Sequence, residues 1–267
     1  MLRAVRSGSG SADWFMDYRN ADGSVAEMCG NGIRVFARYL LRAGLAEGPE
    51  LVIGTRAGER RAWPEPGGEI TVDMGPVRML GPGTAIVGGR QCGGVAVWVG
   101  NPHLACLTET PLGEFDLSAP PVTDAAQFPH GVNVELVRVT GERVAEMRVF
   151  ERGSGETMSC GTGAVAAALA AATAGGPVAA VPVAAEPPGS AERDGSGATG
   201  PRWVVQVPGG SLTVTLTATT ALLTGAAEIV AEGELSEAWL RAGTARSRPS
   251  RPPAGARPRP APSRPGS

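Results

Sequence analysis

The sequence predicts an α+β protein with an internal duplication, and three observations carry that reading. Strand-like runs dominate both halves of the chain. The stretch Glu27-Met28-Cys29-Gly30-Asn31-Gly32 has an echo far downstream in Met158-Ser159-Cys160-Gly161-Thr162-Gly163. Each stretch sets a cysteine directly before a Gly-x-Gly step, and each step opens a segment of helical character.

After Cys29, the residues Ile33, Phe36, Ala37, Leu40 and Leu41 follow the spacing of one helix face. Arg34, Arg38 and Arg42 fall on another face, and Gly44 is placed to end the helix. The run from Ala164 to Ala174 is apolar all round, which predicts a buried helix, and Gly175, Gly176 and Pro177 stop it.

Strands are expected at Leu2–Val5 and at Trp14–Tyr18, where Trp14, Met16 and Tyr18 alternate with Phe15 and Asp17. Further strand runs are Leu51-Val52-Ile53 and Glu69–Met74, around a turn holding Pro64, Pro66, Gly67 and Gly68. Val95–Val99 leads into Gly100-Asn101-Pro102-His103, and a turn-rich stretch follows over 109–131. Val132–Val139 and Arg143–Phe150 read as a hairpin around Thr140-Gly141-Glu142. Residues 178–200, rich in Ala, Pro, Gly and Ser, read as an inserted flexible loop. Trp203–Val207 and Leu212–Leu216 flank Pro208-Gly209-Gly210. The tail over 244–267 is rich in Pro and Arg, has no acidic residue, and reads as disordered.

With 267 residues, the chain can bury a sizeable core. A net charge of −2 gives no electrostatic case for nucleic acid or a membrane as partner. All 24 basic residues are arginine, as a GC-rich coding bias would produce, so arginine-rich and proline-rich tracts say little about function. Cys29, Cys92, Cys106 and Cys160 are far apart and form no C-x-x-C pair, poor material for a disulfide framework or a zinc ribbon. The opening residues lack a sustained apolar run, so a cytoplasmic, reducing compartment is expected.

A thiol at a helix N-terminus meets the positive end of the helix dipole and unpaired N–H groups, which favour its thiolate. The same N–H groups can bind a carboxylate. Two such thiols on opposite faces of one carbon suit removal of a proton from one face and its return to the other. Cys92 and Cys106, without that context, read as inert core residues.

At these residues the chain resembles the diaminopimelate epimerase family. Asn20-Ala21-Asp22-Gly23-Ser24 followed by Met28-Cys29-Gly30-Asn31-Gly32 is similar to its first cysteine motif. Glu151-Arg152-Gly153-Ser154-Gly155-Glu156-Thr157 with Ser159-Cys160-Gly161-Thr162-Gly163 is similar to its second. Gly100-Asn101-Pro102-His103 and Pro208-Gly209-Gly210 resemble two further signatures in the expected order, over residues 13 to 235. The resemblance implies two pseudo-symmetric lobes, each a strand-rich half-barrel around a central helix, with the site in the cleft between them. It places an N-terminal lobe over 1–75, truncated at its start, and a C-terminal lobe over 76–224. A last strand near Ala226–Glu232, within 225–243, would return to the first lobe. The family pattern carries several dozen residues ahead of Met1, including a Gly-Asn-Asp turn, so a start called too far downstream is expected.

The resemblance also implies roles. Cys29 and Cys160 act as thiolate base and thiol acid, exchanging roles with the direction of reaction, without a cofactor and without a metal. The N–H groups of Gly30, Asn31, Gly161 and Thr162 would hold the α-carboxylate. Glu151 and Arg152 would grip the distal amino-acid head, where an arginine fork suits a carboxylate and a glutamate an ammonium group. Read from the residues alone, that pair is better taken as a solvated ion pair on a surface turn. Asn20, Asn101 and Asn133 are expected substrate contacts, and His103 a residue of the site wall. A homodimer is compatible with the family pattern.

Other readings compete. Gly161-Thr162-Gly163-Ala164-Val165-Ala166 fits the dinucleotide pattern, but polar, turn-like residues rather than an apolar strand precede it. His103 and Cys106 form a fragment of a metal site without partners at motif spacing. The nearest enzymatic alternative is another two-thiol amino-acid racemase of the proline racemase kind. The alternative from another class is a non-catalytic, truncated homologue.

Overall fold

The computed structural model describes residues 1–8, 10–20, 23–25, 28–174 and 200–239. Met1–Ile229 form one compact unit, and Val230–Ser267 a second that is described only through residue 239. The inserted loop expected at 178–200, save its last residue, and the tail at 244–267 lie outside the described residues.

The first half runs β1 (Leu2–Arg6), β2 (Trp14–Tyr18), α1 (Gly30–Arg42), β3 (Leu51–Thr55), β4 (Gly58–Pro64) and β5 (Glu69–Asp73). A middle segment adds β6 (Arg78–Val87), β7 (Arg90–Trp98), β8 (Pro102–Leu107) and the short β9 (Val122–Thr123). The second half runs β10 (Asn133–Gly141), β11 (Val144–Glu151), the short β12 (Gly155–Thr157) and α2 (Gly161–Ala174). It closes with β13 (Arg202–Val207), β14 (Gly210–Leu216) and β15 (Ala221–Ala226).

The two halves share one plan. Antiparallel strands β1 and β2 lead into α1, which crosses over to β3 lying parallel to β2; β4 and β5 follow antiparallel. Likewise β10 and β11 lead into α2, which crosses to β13 lying parallel to β11; β14 and β15 follow antiparallel. The repeats meet at their last strands, where β15 pairs antiparallel with β5, Leu223 opposite Val72. All 15 strands among the described residues thereby form one sheet, and each lobe curls its strands around its own helix.

Local sequence explains both helices. Ile33, Phe36, Ala37 and Leu40 are buried along one stripe of α1. Its C-terminus closes in a Schellman arrangement: Gly44, at φ +63°, donates to the Leu41 carbonyl and Leu45 to that of Leu40. Arg34 departs from expectation, since only 5% of it is exposed although Arg38 and Arg42 share its series. Gly161 through Ala171 are buried on every side, so small residues let sheet surround α2. Both helices belong to one continuous core.

The strands hold further differences. The returning strand is β15, ahead of the stretch near Ala226–Glu232. Its residues Ala221, Leu222 and Leu223 supply core side chains, whereas Val230 is exposed. The hairpin of β10 and β11 turns on Glu142 and Arg143, with Arg143 at φ +55°. On β2, Asp17 is buried beneath Arg3, Arg19 and Arg56, which cap the outward side of the alternation with ion pairs. No helix among the described residues is long and apolar enough to cross a membrane.

Leu169, 1% exposed in the middle of α2, touches core from both flanking strands and helix neighbours. Leu169→Ala is expected to destabilise the protein by about 2–5 kcal/mol. A lowered urea midpoint with an unchanged denaturant slope checks this.

Candidate active site

The crossover after β2 and the crossover after β11 both carry the chain into a helix whose first residue follows a cysteine. Cys29 takes the N-cap position of α1 in an extended conformation, and its sulphur accepts the Gly32 N–H at 3.2 Å. Cys160 stands one residue ahead of α2, and its carbonyl accepts the Ala164 N–H at 2.9 Å. The two N-termini then meet. A Cβ built on Gly30 would lie 3.0 Å from the Gly161 Cα, and one built on Gly161 would lie 2.9 Å from the Gly30 Cα. Only glycine at both positions permits this approach, and it brings the two cysteine motifs side by side.

Side chains stitch the motifs together across the seam. Asn31 Nδ2 donates to the Ser159 carbonyl at 3.0 Å and to its hydroxyl at 3.1 Å. Asn31 Oδ1 in turn accepts from Arg34 Nη2 at 3.1 Å, while Arg34 Nη1 donates to the Gly30 carbonyl at 3.1 Å. This accounts for the buried guanidinium: Arg34 braces the turn bearing Cys29 instead of facing water. On the other side, the Gly209 N–H donates to the Met158 carbonyl at 2.8 Å, so Pro208-Gly209-Gly210 supports the approach to Cys160.

A cavity of about 200 Å³ opens beside the thiols, lined by Tyr18, Asn20, Met28, Asn101, Asn133, Glu151, Arg152 and their neighbours. Asn20, Asn101 and Asn133 therefore reach one cavity, but each also has work within the protein. Asn20 Nδ2 donates to the Ser24 hydroxyl at 3.1 Å. Asn101 Oδ1 pairs with His103 Nε2 at 2.9 Å. Asn133 Oδ1 accepts the Arg152 N–H at 2.9 Å. Asp22 and Glu27 of the first motif lie outside the described residues.

Glu151 ends β11, and its carboxylate accepts the Thr157 hydroxyl from β12. Arg152 is exposed at the turn, with Nη1 donating to the His130 carbonyl at 3.0 Å. Its aliphatic stem crosses Gly131, at φ +77°, where a Cβ would come within 3.0 Å of Arg152 Cδ. The His130-Gly131-Val132-Asn133 stretch thus holds Arg152 in position through a carbonyl, a missing side chain and an amide.

The thiols do not behave as their helix positions alone predict. Burial pushes the Cys29 thiol up, aided by Glu151, against the opposing N–H groups of Gly32 and Asn31 and the charge of Arg34. Burial pushes Cys160 higher still, with Glu151 and Glu135 adding to it and only the Thr162 hydroxyl and Gly163 N–H opposing. Desolvation of a charged sulphur outweighs the end of a helix dipole, so both thiols are held toward the neutral form. The Asn31 N–H, beside its expected role toward a carboxylate, also hydrogen-bonds the Cys29 sulphur.

Tyr18 was not singled out from the sequence as a site residue, yet it lines the cavity and hydrogen-bonds Cys29; burial, Cys29 and Glu151 push its hydroxyl up to about 12. The alternation of Trp14, Met16 and Tyr18 held the signal, since it turns Tyr18 to the α1 side of β2. His103 lies fully inside the protein behind Asn101, and three residues along β8 from Cys106 it faces the opposite side of the sheet. The dinucleotide reading of Gly161-Thr162-Gly163 fails on space. Gly161 is filled by Gly30, and a Cβ on Gly163 would lie 2.7 Å from Glu135 Oε1, leaving no cradle for a pyrophosphate.

The duplicated α+β scaffold that brings these two helix ends together is a fold also found in solved structures. A hydroxyproline epimerase from Agrobacterium vitis superposes with a TM-score of 0.57 at 17% identity, covering 84% of this chain and 71% of that one. A phenazine biosynthesis protein of the PhzF family from Bacillus anthracis gives 0.55 at 18% identity, covering 82% and 79%. At such identities the likeness speaks for the fold alone.

Sequence narrows the class further. The diaminopimelate epimerase family profile matches residues 3–80 and 95–230. The diaminopimelate epimerase of Thermobifida fusca is 53% identical over 229 residues, spanning 86% of this chain and 75% of the relative. That of Mycobacterium ulcerans is 47% identical over 249 residues, spanning 90% and 79%. The chain belongs to the diaminopimelate epimerase family.

Two outcomes are expected from this geometry. Gly161→Ala drives a methyl group into the Gly30 backbone and is expected to cost at least about 1–3 kcal/mol in chemical denaturation; unchanged stability would mean that the helix ends do not touch. With both thiols raised, the rate of iodoacetamide labelling at Cys29 and Cys160 in substrate-free protein should climb only above about pH 8.5, the ordinary thiol value. Rapid labelling of either at pH 7 would contradict the burial argument.

Proposed function

We propose that this protein is a diaminopimelate epimerase, an isomerase that interconverts the LL and meso forms of diaminopimelate. The observation that carries the reading is the contact of Gly30 with Gly161, which sets a thiol at each of two touching helix N-termini beside one cavity. A reaction that inverts one carbon needs a base on one face and an acid on the other, and this pair supplies both without a further group.

In one direction the Cys29 thiolate takes the Cα proton while the Cys160 thiol delivers one to the opposite face; in the other direction the roles exchange. Because burial favours neutral thiols, the entering ammonium group of the substrate would supply the positive charge that permits one to ionise. The N–H groups of Gly30, Asn31, Gly161 and Thr162 would hold the α-carboxylate at the positive ends of both helices, stabilising charge as it builds on the carbanion. Asn20, Asn101 and Asn133 would orient the amino acid from the cavity wall. Glu151 would take the distal ammonium group and Arg152 the distal carboxylate, which fits the anchoring of Arg152 over Gly131.

The wider assignment follows from that chemistry. The reaction serves lysine and peptidoglycan precursor synthesis, works without a cofactor, and requires reduced thiols, which suits the cytoplasm. The lobes would divide at residues 1–75 and 76–224, and a homodimer would be the assembled form.

Solvent deuterium should enter Cα of LL-diaminopimelate as the meso form accumulates, and proline should not be racemised. Cys29→Ser and Cys160→Ser should each lower epimerisation by at least about a thousandfold while leaving circular dichroism unchanged, since serine also caps helices. Full turnover by either variant, or racemisation of proline in place of diaminopimelate, would overturn the assignment.

A further inference from the structure

Behind Cys160 runs a line of buried polar groups that the two-thiol reaction does not itself require. Glu135 on β10 and His103 on the neighbouring β8 are both 0% exposed. His103 Nδ1 lies 2.6 Å from Glu135 Oε1, and His103 Nε2 lies 2.9 Å from Asn101 Oδ1. Asn101 Nδ2 then donates to Thr162 Oγ1 at 3.5 Å, and Thr162 Oγ1 stands 3.4 Å from the Cys160 sulphur. A carboxyl group in a dry core is costly, and Glu135 Oε2 has no hydrogen-bond partner. Gly163 leaves it room, for a Cβ there would lie 2.7 Å from Oε1. Structure alone gives no reason to bury such a group against a helix that is otherwise apolar.

Donor counting gives a reason. With a proton on both ring nitrogens, His103 donates to Glu135 on one side and to Asn101 Oδ1 on the other. The Asn101 amide then donates to Thr162 Oγ1, and the threonine's own proton is left to point at the Cys160 sulphur as a thiolate. With His103 neutral and its proton on Nδ1, the order reverses. The thiol donates to Thr162, Thr162 to Asn101, and a turned amide to His103 Nε2. The two polarities of the line therefore match the two protonation states of Cys160.

We propose that Glu135 is a positioning residue for proton transfer at Cys160, acting through His103 and Asn101 to set which way the Thr162 hydroxyl points. Burial pushes the Glu135 carboxyl up and the hydrogen bond to His103 opposes that; when ionised, Glu135 is the acceptor that the thiolate polarity of the line requires. The ionisable groups facing Cys160 are Glu151 of β11, Glu135 of β10 and Tyr18 of β2. Acting directly across space, the Glu135 charge would oppose a thiolate at Cys160. The line of hydrogen bonds and the direct charge effect thus predict opposite signs. The proposal rests on the two-thiol reaction, but its test reads the thiol and not turnover, so each can fail alone.

The test measures iodoacetamide labelling of Cys160 against pH, followed by peptide mass mapping, in a Cys29→Ala background. Glu135→Gln keeps an acceptor for His103 Nδ1 and removes only the charge. It should move the Cys160 midpoint upward and slow labelling at fixed pH by at least about tenfold, the loss of a hydrogen bond to a charged group. Thr162→Val should reproduce that shift, Thr162→Ser should restore it, and Cys29 labelled in a Cys160→Ala background should not change with Glu135→Gln. An unchanged or lowered Cys160 midpoint in Glu135→Gln would overturn the proposal, as would an equal rise at Cys29. If Glu135→Gln does not fold, Thr162→Val decides, and a normal midpoint there refutes the line.

Discussion

The contact between Gly30 and Gly161 is the constraint on which the rest of the molecule depends. Two helix N-termini present partial positive charge to each other, so their approach is electrostatically unfavourable until something negative sits between them. The structure holds them together by other means. Sheet encloses each helix, β5 and β15 join the lobes edge to edge, and Asn31, Ser159 and Arg34 lace the two turns. What remains at the junction is a place where the proposed carboxylate and developing carbanion would relieve a repulsion already built into the fold.

This view explains why the site is dry. A thiol that must exchange a proton with carbon gains from a sulphur poorly solvated when ionised, because its basicity is then not spent on water. Burial of Cys160 inside a ring of strands achieves this, and the alanine-rich character of α2 makes the ring tight. Cys29, at the edge of the cavity, keeps partial exposure and the Tyr18 hydroxyl. The flanking turn of Glu151 and Arg152 belongs to a separate hairpin, so the head-group recognition proposed for it would be built on different backbone from the two cysteines.

The sequence made the cysteine motifs legible because a repeated Cys-Gly-x-Gly step has few uses, and made α1 legible because its apolar stripe is regular. It did not reveal that Arg34 is buried, since a helical wheel reports spacing and cannot show that Asn31 and the Gly30 carbonyl need a donor. Long strands such as β6, interrupted by Gly81, Pro82 and Gly83, carry little local signal and are specified by pairing with β7. Glu135 was hidden for a related reason. In Val134-Glu135-Leu136 it resembles the wet side of an alternating strand, and only the parallel neighbour β8 places His103 against it.

The strand order, read outward from the β5–β15 seam, runs the same way on both sides as far as the first strand of each repeat. A pseudo-twofold axis therefore passes through that seam and, between Gly30 and Gly161, through the reacting centre. The backbone alone would treat both faces of a bound carbon alike. Handedness enters through side chains that break the symmetry: a phenol beside one sulphur, a threonine with its buried histidine behind the other, and the Glu151–Arg152 turn on one lobe only. Chiral discrimination in this protein is thus a small perturbation on a nearly symmetric scaffold, which is a fitting arrangement for a catalyst that must run comfortably in both directions.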